Sequence, residues 1–346
     1  MNNPGRREQS LRREQPLRRE QSLRREHMDK LISIPETAVW LIERDNFLLI
    51  THRRPDGDTL GCAGGLAQGL RELGKIAYVL DNPEATPRYK RFVEDYLAPD
   101  DFQHEYIIAI DTASTSLFPK NAEQYIDSVS LSIDHHGSNT HYADLSCLNS
   151  DYASCGEIIF DILMAISNSI SSTTAEKLYV ALSTDTGCFS FSNTTANTLY
   201  VASQLVEAGA PNKELNKQLF RTKTQGRISI EGMLISGIEY SFNNRVAVAS
   251  ITLEMLDASG ADEDDLDDIA AIPGSIAGVC IGITIRELSS PQDCKISVRT
   301  RAPYDAQAIC AHFGGGGHKL AAGFTTDNTI KEIKKMLHEV IEGQLE

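Results

Sequence analysis

The sequence predicts an α/β fold with two domains. We expect a larger N-terminal domain with a parallel, doubly wound sheet and a smaller C-terminal α/β domain with a mixed sheet. Short apolar runs alternate with segments of helical spacing, and several runs are apolar at nearly every position, as in strands buried on both faces. The pattern changes around residues 209–211, after which a shorter series of strands and helices follows.

The elements of the first domain follow from apolar spacing and stop signals. Gly74, for example, ends a small-residue-rich helical stretch. We predict helices over 32–43, 61–73, 88–96, 156–167 and 174–183, and strands over 47–50, 76–80, 106–110 and 129–133.

The second part of the chain begins with a polar connecting helix, which residues 228–235 continue. Its acidic run 262–268 is predicted to be the solvated first turn of a helix, where negative charge suits the helix dipole. That run lacks the spacing and the glycine of an EF-hand calcium loop. We predict strands over 246–253, 279–287 and 295–300, and helices over 212–221, 264–271, 306–312 and 330–342.

An arginine-rich arm precedes this globular pattern. Its hexad RREQ(S/P)L has no apolar face, so we predict disorder for residues 1–27. A mis-assigned start, with Met28 as the true first residue, is favoured over an arm that touches RNA or membrane. The domains are then 28–210 and 236–346, joined by a linker over 211–235.

Composition limits the function classes. Eight Arg and four Glu give the arm +4, which leaves about −19 on residues 28–346 of a chain with a net charge of −15. Such an acidic body argues against a long nucleic-acid groove. The apolar runs are too short to span a bilayer, and the seven cysteines include no CxxC pair, so we expect a cytosolic protein with reduced thiols.

Acid and imidazole groups stand where predicted strands and helices end. The C-terminal ends of parallel strands lie along one edge of a sheet, where ligands bind. Each group alone has an ordinary explanation, such as a helix cap or a turn, but four coincident instances indicate a functional site. The groups are His52 with Asp56 and Asp58 in HRRPDGD, Asp111 in AIDTAS, Asp134-His135-His136 in IDHHGSN, and Asp185 in STDTG.

This donor set favours divalent metal ions. Histidines and carboxylates without cysteine suit Mn²⁺, with Mg²⁺ or Co²⁺ as substitutes. The ligands are too many for one ion, which predicts two ions that share a carboxylate. Such a pair, about 3.5–4 Å apart, activates water and suits hydrolysis of phosphate esters.

The second domain contributes the segment AHFGGGGHKLAAGF, residues 311–324. Its consecutive glycines can form an anion-binding nest, although a flexible glycine turn is the plain alternative. Arg299 and Arg301 in KISVRTR lie on one strand face by alternation. We expect a cleft between the domains, with metals on one wall and a phosphate or base reader on the other.

Together these motifs resemble the DHH phosphoesterase superfamily, in particular the subfamily with a C-terminal DHHA1 domain and its bacterial oligoribonuclease and pAp phosphatase members. The resemblance covers about residues 30–346, and the motifs occur in the expected order. It implies that the first domain is a DHH domain and the second a DHHA1 domain.

The resemblance also implies roles for individual residues. His52, Asp56 and Asp111 would hold one Mn²⁺, and Asp58, Asp111, His135 and Asp185 the other, with Asp111 bridging. His136 would contact the scissile phosphate, and Asp134 would orient a histidine. The nucleotide would be bound by Arg299 and by the loop residues Gly315, Gly316, Gly317 and His318. Arg54 would face a phosphate of the substrate. Cys62 stands where relatives often have Ser, which puts a phosphate role for that position in doubt.

The expected function is therefore hydrolysis of very short RNA to mononucleotides and of pAp to AMP. The alternatives are a phosphodiesterase for linear or cyclic dinucleotides such as pApA or c-di-AMP, and a nucleotide sensor without catalysis. A family II pyrophosphatase and an exonuclease for long single-stranded DNA are disfavoured. A homodimer remains open.

Overall fold

The computed structural model describes residues 30–266 and 268–345, which divide into two compact units between Arg221 and Thr222. The predicted linker 211–235 is thus shared between the units, and the predicted arm 1–27 lies outside the described residues. Within the described part of the chain, no helix is long and apolar enough to cross a membrane.

The first unit is built on a five-stranded, fully parallel sheet, as the alternating pattern predicts. Its strand order is β2-β1-β3-β4-β5. The central strands are buried on both faces, which explains why the sequence is apolar there at nearly every position. The strands are β1 (Phe47–Ile50), β2 (Ala77–Val79), β3 (Tyr106–Ile110), β4 (Leu131–Asp134) and β5 (Leu145–Leu148).

The α-helices pack against one face of this sheet, and the 3₁₀ helix Lys120–Ser128 with its neighbouring loops covers the other. The α-helices are α1 (Ile34–Ile42), α2 (Gly57–Glu72), α3 (Pro87–Lys90), α4 (Cys155–Ser167), α5 (Ser172–Asp185), α6 (Ala196–Glu207) and α7 (Asn212–Asn216), followed by a π-helical turn, Lys217–Arg221. Helices α2 and α5 cross closely because Gly61 has no side chain: a Cβ there would lie 2.6 Å from the Lys177 carbonyl oxygen. This crossing holds the start of α2 beside the end of α5, and both ends carry predicted site residues.

Three features of the first unit differ from the prediction. The stretch 88–96 is not one helix: α3 is short, and a separate 3₁₀ turn follows at Glu94–Tyr96. The buried Tyr89, Phe92 and Tyr96 keep helical spacing, yet two tight turns satisfy it as well as a continuous helix does. Strand β5 and helix α6 were not predicted.

The second unit contains a six-stranded mixed sheet, as predicted. Its order is β10-β11-β9-β8-β7-β6, and the pair β7–β8 is parallel whereas the other pairs are antiparallel. The strands are β6 (Glu239–Ser241), β7 (Val246–Ile251), β8 (Ile281–Glu287), β9 (Cys294–Thr300), β10 (Gly316–His318) and β11 (Ala321–Thr326). The helices are α8 (Gln225–Ser236), α9 (Leu253–Ser259), α10 (Ile272–Ser275), α11 (Ala306–Ala311) and α12 (Ile330–Leu345).

Two helix predictions in this part of the chain were wrong. Helix α8 does not continue the preceding helix but starts afresh at Thr224, whose side chain accepts a hydrogen bond from the Arg227 N–H. In place of the predicted helix the structure has two short 3₁₀ turns, Asp264–Leu266 and Ile269–Ala271, and Asp268 before the second turn is left-handed (φ 57°). Asp265 of that run is buried and accepts a hydrogen bond from the Thr224 hydroxyl at 2.6 Å, so it is a packing residue and not a solvated one.

The glycine segment is also more regular than a loop. Gly316, Gly317 and His318 form strand β10, which pairs antiparallel with β11. A Cβ at Gly315 would lie 2.4 Å from the Gly323 carbonyl oxygen, and one at Gly317 would lie 2.7 Å from that of Ala321. Close approach of two backbones therefore accounts for these two glycines.

Candidate metal centre

The predicted site residues of the first unit meet at the C-terminal edge of its sheet. His52 follows β1, Asp111 follows β3, and Asp134 is the last residue of β4. Asp56 is the N-cap of α2, and Asp185 is the last residue of α5. The positions of strand and helix ends thus bring together residues that are far apart in the sequence.

Three groups of these residues have ligand atoms within 4.8 Å of one another, close enough to hold a metal ion. The first group is His52, Asp56 and Asp111, and the second is Asp58, His135 and Asp185. The third group is Asp111, His135 and His136, and it shares residues with both others. Two adjacent cation positions with Asp111 between them fit this geometry.

Thr59 holds the first group together, and the sequence reasoning did not single it out. Its hydroxyl lies 2.7 Å from Asp111 Oδ2, 2.6 Å from His52 Nε2 and 3.1 Å from Asp56 Oδ1. The other ring nitrogen of His52 lies 2.7 Å from the Arg53 carbonyl oxygen. His52 is thereby oriented with Nε2 toward Asp111.

Asp58 is held from the opposite side by the N-terminus of α4. Its carboxylate accepts the N–H of Cys155 at 2.8 Å and that of Gly156 at 3.1 Å. The Cys62 thiol, which is fully buried, donates to Asp58 Oδ1 at 3.1 Å. Cys62 therefore orients a candidate ligand and has no access to a phosphate.

His135 is oriented by the backbone carbonyl group of Tyr152. Its Nδ1 lies 3.2 Å from the Tyr152 carbonyl oxygen, which can only accept, so Nδ1 carries the proton and Nε2 offers its lone pair. Nε2 lies 3.7 Å from Asp58 Oδ2, 3.6 Å from Asp111 Oδ1 and 3.7 Å from Asp185 Oδ2. Burial lowers the pKa of His135, which favours the neutral ring that a cation needs.

A buried glutamate supports that carbonyl, and the sequence reasoning missed it. Glu157 on α4 is fully buried and accepts the Ala153 N–H at 2.9 Å. That N–H belongs to the same peptide group as the Tyr152 carbonyl that holds His135. Glu157, one peptide group and His135 therefore form a continuous chain of hydrogen bonds that ends at the candidate ligand.

Asp134 orients His136 rather than facing the other carboxylates. Its Oδ1 lies 2.8 Å from His136 Nδ1, and its Oδ2 accepts the Asn139 carboxamide at 2.6 Å. Burial raises the pKa of Asp134, but these hydrogen bonds outweigh burial and leave its pKa below the ordinary value. The same hydrogen bond raises the pKa of His136. Asn139 was not predicted, although it lies in the IDHHGSN motif.

The buried carboxyl groups of the cluster lie close enough together to repel one another when they are ionised, and bound cations would offset that repulsion. Burial and neighbouring carboxylates raise the pKa of Asp58 and of Asp111 well above the ordinary value, and they raise that of Asp185 to about 7. Asp111 Oδ1 is buried and makes no hydrogen bond in the described part of the chain. Oxygen and imidazole donors with this much mutual repulsion fit divalent cations such as Mn²⁺.

Asp111 also adopts a left-handed backbone conformation, with φ of 50°. A non-glycine residue is disfavoured there by about 1–2 kcal/mol. Its N–H still donates to the Ile133 carbonyl oxygen at 2.9 Å, so the strain begins where the pairing of β3 with β4 ends. The turn sends the Asp111 side chain between the two ligand groups.

Most of the predicted nucleotide-binding residues belong to the second unit. Arg299 on β9 and His318 on β10 both pair in register with Ala321 of β11, so their side chains leave the same face of the second unit's sheet. Arg301 follows β9 and donates to the Gly274 carbonyl oxygen at 3.1 Å. Arg54, in the first unit, is highly exposed and lies 3.9 Å from Glu84.

Comparison with known proteins matches both units. Residues 46–182 match the model of the DHH family, N-terminal domain, and residues 243–343 match that of the DHHA1 domain. The bifunctional oligoribonuclease and PAP phosphatase NrnA of Thermus thermophilus is 30% identical over 283 residues, which are 80% of this chain and 83% of that protein. The chain belongs to the DHH family. As a DHH-family member it is a metal-dependent hydrolase.

Two further proteins are similar to this chain. The protein of the same name from Bacillus subtilis is 27% identical over 81% of this DHH-family chain and 88% of its own length. An exopolyphosphatase-related protein from Bacteroides fragilis has the same fold, with a TM-score of 0.80 at 23% identity over 90% of this chain and 95% of that one. The Asp134-His135-His136 triplet of this chain lies in the candidate metal centre.

Proposed function

We propose that this DHH-family protein is a phosphoesterase that hydrolyses short oligoribonucleotides to mononucleotides and pAp to AMP, with two Mn²⁺ ions. The observation that carries the proposal is the overlap of the three ligand groups: Asp111 joins the first to the third, and His135 joins the third to the second. The names of the Thermus and Bacillus relatives support the two substrates.

In this proposal His52, Asp56 and Asp111 would hold one ion, and Asp58, Asp111, His135 and Asp185 would hold the other. When bound, such ions would lower the pKa of a water that serves as nucleophile and would neutralise charge on the phosphoryl oxygens. The chain's own residues position these ligands: Thr59 fixes the first group, and the α4 N-terminus fixes Asp58.

His136 is the proposed phosphate contact. Asp134 forms a hydrogen bond with Nδ1 of His136 and raises the pKa of that histidine. The His136 ring therefore stays protonated over a wider pH range, and its Nε2 is available to a phosphate oxygen. The ring is also nearly half exposed, at 45%, whereas His135 is 13% exposed. The more accessible histidine therefore suits the substrate, and the buried one suits a cation.

The second unit is proposed to bind the nucleotide. Arg299 and His318 share one face of its sheet, separated only by the small side chain of Ala321. A guanidinium and an imidazole at this spacing suit a phosphate or a sugar–base edge. Gly316 of β10 has open space where a Cβ would stand, so a ligand can approach the backbone closely there.

A substrate panel tests this proposal. The full chain with Mn²⁺ is assayed on pAp, pApA, c-di-AMP, pyrophosphate and RNA of 2 to 20 nucleotides. We expect the highest kcat/KM for pAp and the shortest RNAs, because the acidic body offers no basic path for a long strand. Preference for 20-mers or for pyrophosphate would refute the proposal, and preference for c-di-AMP would favour the dinucleotide alternative.

Asp111→Asn is the matched variant for this panel, because it keeps the size of the side chain and removes the shared charge. It should abolish activity on every substrate, since Asp111 is a ligand of both ions in the proposed arrangement and belongs to two of the three ligand groups. A variant with full activity would contradict the shared-site arrangement. Asp45→Asn serves as the control: Asp45 caps the turn before β1 through the N–H groups of Asn46 and Ile76 and belongs to neither group.

A further inference from the structure

The exposed aromatic ring of Phe191 follows the candidate ligand Asp185 by a few residues in the sequence. The chain has eleven phenylalanines, all in the described residues, and Phe191 alone is exposed, at 54%. The others are buried or half-buried. A single exposed ring is ordinary on a protein surface, so its setting decides whether it has a role.

That setting is a strained turn. Gly187, Cys188 and Phe189 follow Asp185 closely and are all left-handed, with φ of 54°, 55° and 64°. Left-handed residues normally occur singly, and a Cβ disfavours them, so three in succession with two side-chain-bearing members are unusual. Strain of this kind persists only where the surrounding structure enforces it, and it concentrates at functional sites.

Specific hydrogen bonds enforce the turn and tie it to the metal centre. The buried Thr186 accepts the Phe189 N–H on its hydroxyl at 3.2 Å and the Phe191 N–H on its carbonyl oxygen at 3.0 Å. Beyond Phe191, the Asn193 carboxamide donates to the carbonyl oxygens of Asp185 and Ala153, each at 3.1 Å. Both ends of the turn are thus fixed to backbone that positions candidate ligands.

The ring itself is held on one side only. Its edge lies over Gly187, where a Cβ would be 2.4 Å from two ring carbons, and more than half of the side chain remains open to water. Because Gly187 has no side chain, the Phe191 ring can pack directly against the backbone there. The turn thereby holds a largely exposed aromatic ring against Gly187, two residues after Asp185.

We propose that Phe191 is the stacking residue of a nucleobase subsite, and that it binds the base of the nucleotide whose phosphate is held at the metal centre. This inference rests on the proposed function and names a contact for its substrate class. A base is neutral and has a flat aromatic face, so stacking can hold it beside carboxylates that repel further phosphates. Stacking is also sequence-tolerant, as hydrolysis of mixed short RNA requires.

The test compares a ligand with a base and one without. Binding of AMP and of ribose 5-phosphate to the Mn²⁺-loaded full chain is measured for wild type, Phe191→Ala and Phe191→Trp. Loss of one base–aromatic stack should weaken AMP binding roughly 5- to 150-fold in Phe191→Ala and leave ribose 5-phosphate binding unchanged. Phe191→Trp should bind AMP at least as tightly as wild type.

Tyr200→Ala is the control, because Tyr200 is an aromatic residue of similar exposure, at 59%, on helix α6. It should leave the binding of both ligands unchanged. The stacking role would be overturned if Phe191→Ala weakened the binding of AMP and of ribose 5-phosphate equally, or if it weakened the binding of neither. A Phe191→Ala variant that binds AMP normally but changes its oligomeric state in sedimentation would assign the ring to self-association instead.

Failure of this inference and failure of the proposed function give different results. If wild type hydrolyses neither the short RNAs nor pAp, the proposed function is refuted, whatever the AMP binding measurements show. If wild type hydrolyses them and the affinity for AMP does not depend on Phe191, only the base subsite is refuted.

Discussion

The protonation of Asp185 should make the stability of the metal-free first unit depend on pH. Its pKa is about 7 in the folded protein against an ordinary value of 3.8, chiefly because of burial and then because of Asp56. A carboxyl whose pKa is raised by folding binds more protons in the folded state, so stability falls as pH rises through the window from about 4 to 7. Asp58 and Asp111, whose pKa values are also raised, act in the same direction.

The magnitude follows from these values. Between pH 5 and pH 8, Asp185 alone should remove about 2–3 kcal/mol from the free energy of unfolding of the metal-free protein. The single tryptophan of the chain, Trp40, is buried in the first unit, so its fluorescence during urea unfolding reports on the unit that carries the site. Asp185→Asn removes this proton-linked change and should flatten the pH dependence by about the same amount.

Cations should reverse the effect, because they neutralise the carboxylates only when these are deprotonated. Mn²⁺ at about 100 times its dissociation constant adds about 2.7 kcal/mol per site at pH 8, and less at pH 5, where protons compete. An Asp185→Asn variant with the same pH dependence as wild type would refute this reasoning. So would a wild type that Mn²⁺ stabilises more strongly at pH 5 than at pH 8.

Two further predictions concern residues that position the ligands. Glu157→Ala leaves the Ala153 N–H without its acceptor and should weaken Mn²⁺ binding, measured by calorimetry, about 10- to 100-fold. Glu157→Gln keeps an accepting oxygen and should restore most of that affinity; equal losses in both variants would argue for a charge effect instead. Asn139→Ala removes the 2.6 Å hydrogen bond to Asp134 and should cost about 1–3 kcal/mol in urea unfolding. Because the pKa of Asp134 then rises, the acid limb of the pH–rate profile should move to higher pH, and an unchanged limb would contradict the role of Asn139.

Several residues of the candidate metal centre could be placed together from the sequence because their signal is local and simple. His52, Asp111 and Asp134 each end a short apolar run, and parallel strands align such ends by construction. The supporting residues carry no such signal. Thr59 and Glu157 lie within helices and resemble any other helical residue until the fold brings them to Asp111 and to the peptide group beside His135.

The missed elements have a related cause. Strand β5 is four residues long, and its two fully enclosed positions are Ser146 and Cys147, so neither a continuous apolar run nor an alternation marks it. Strands β10 and β11 are rich in Gly and Ala, residues that are rare in strands, and only close backbone packing explains them. Tertiary context overrides local preference in both places.

The position of the bound ions tests the central claim most directly. Anomalous scattering at the manganese edge, from crystals of the full chain grown with Mn²⁺, should show two peaks about 3.5–4 Å apart. One peak should lie between His52, Asp56 and Asp111, and the other between Asp58, His135 and Asp185, with Asp111 reaching both. A single peak, or two peaks that do not share Asp111, would contradict the account.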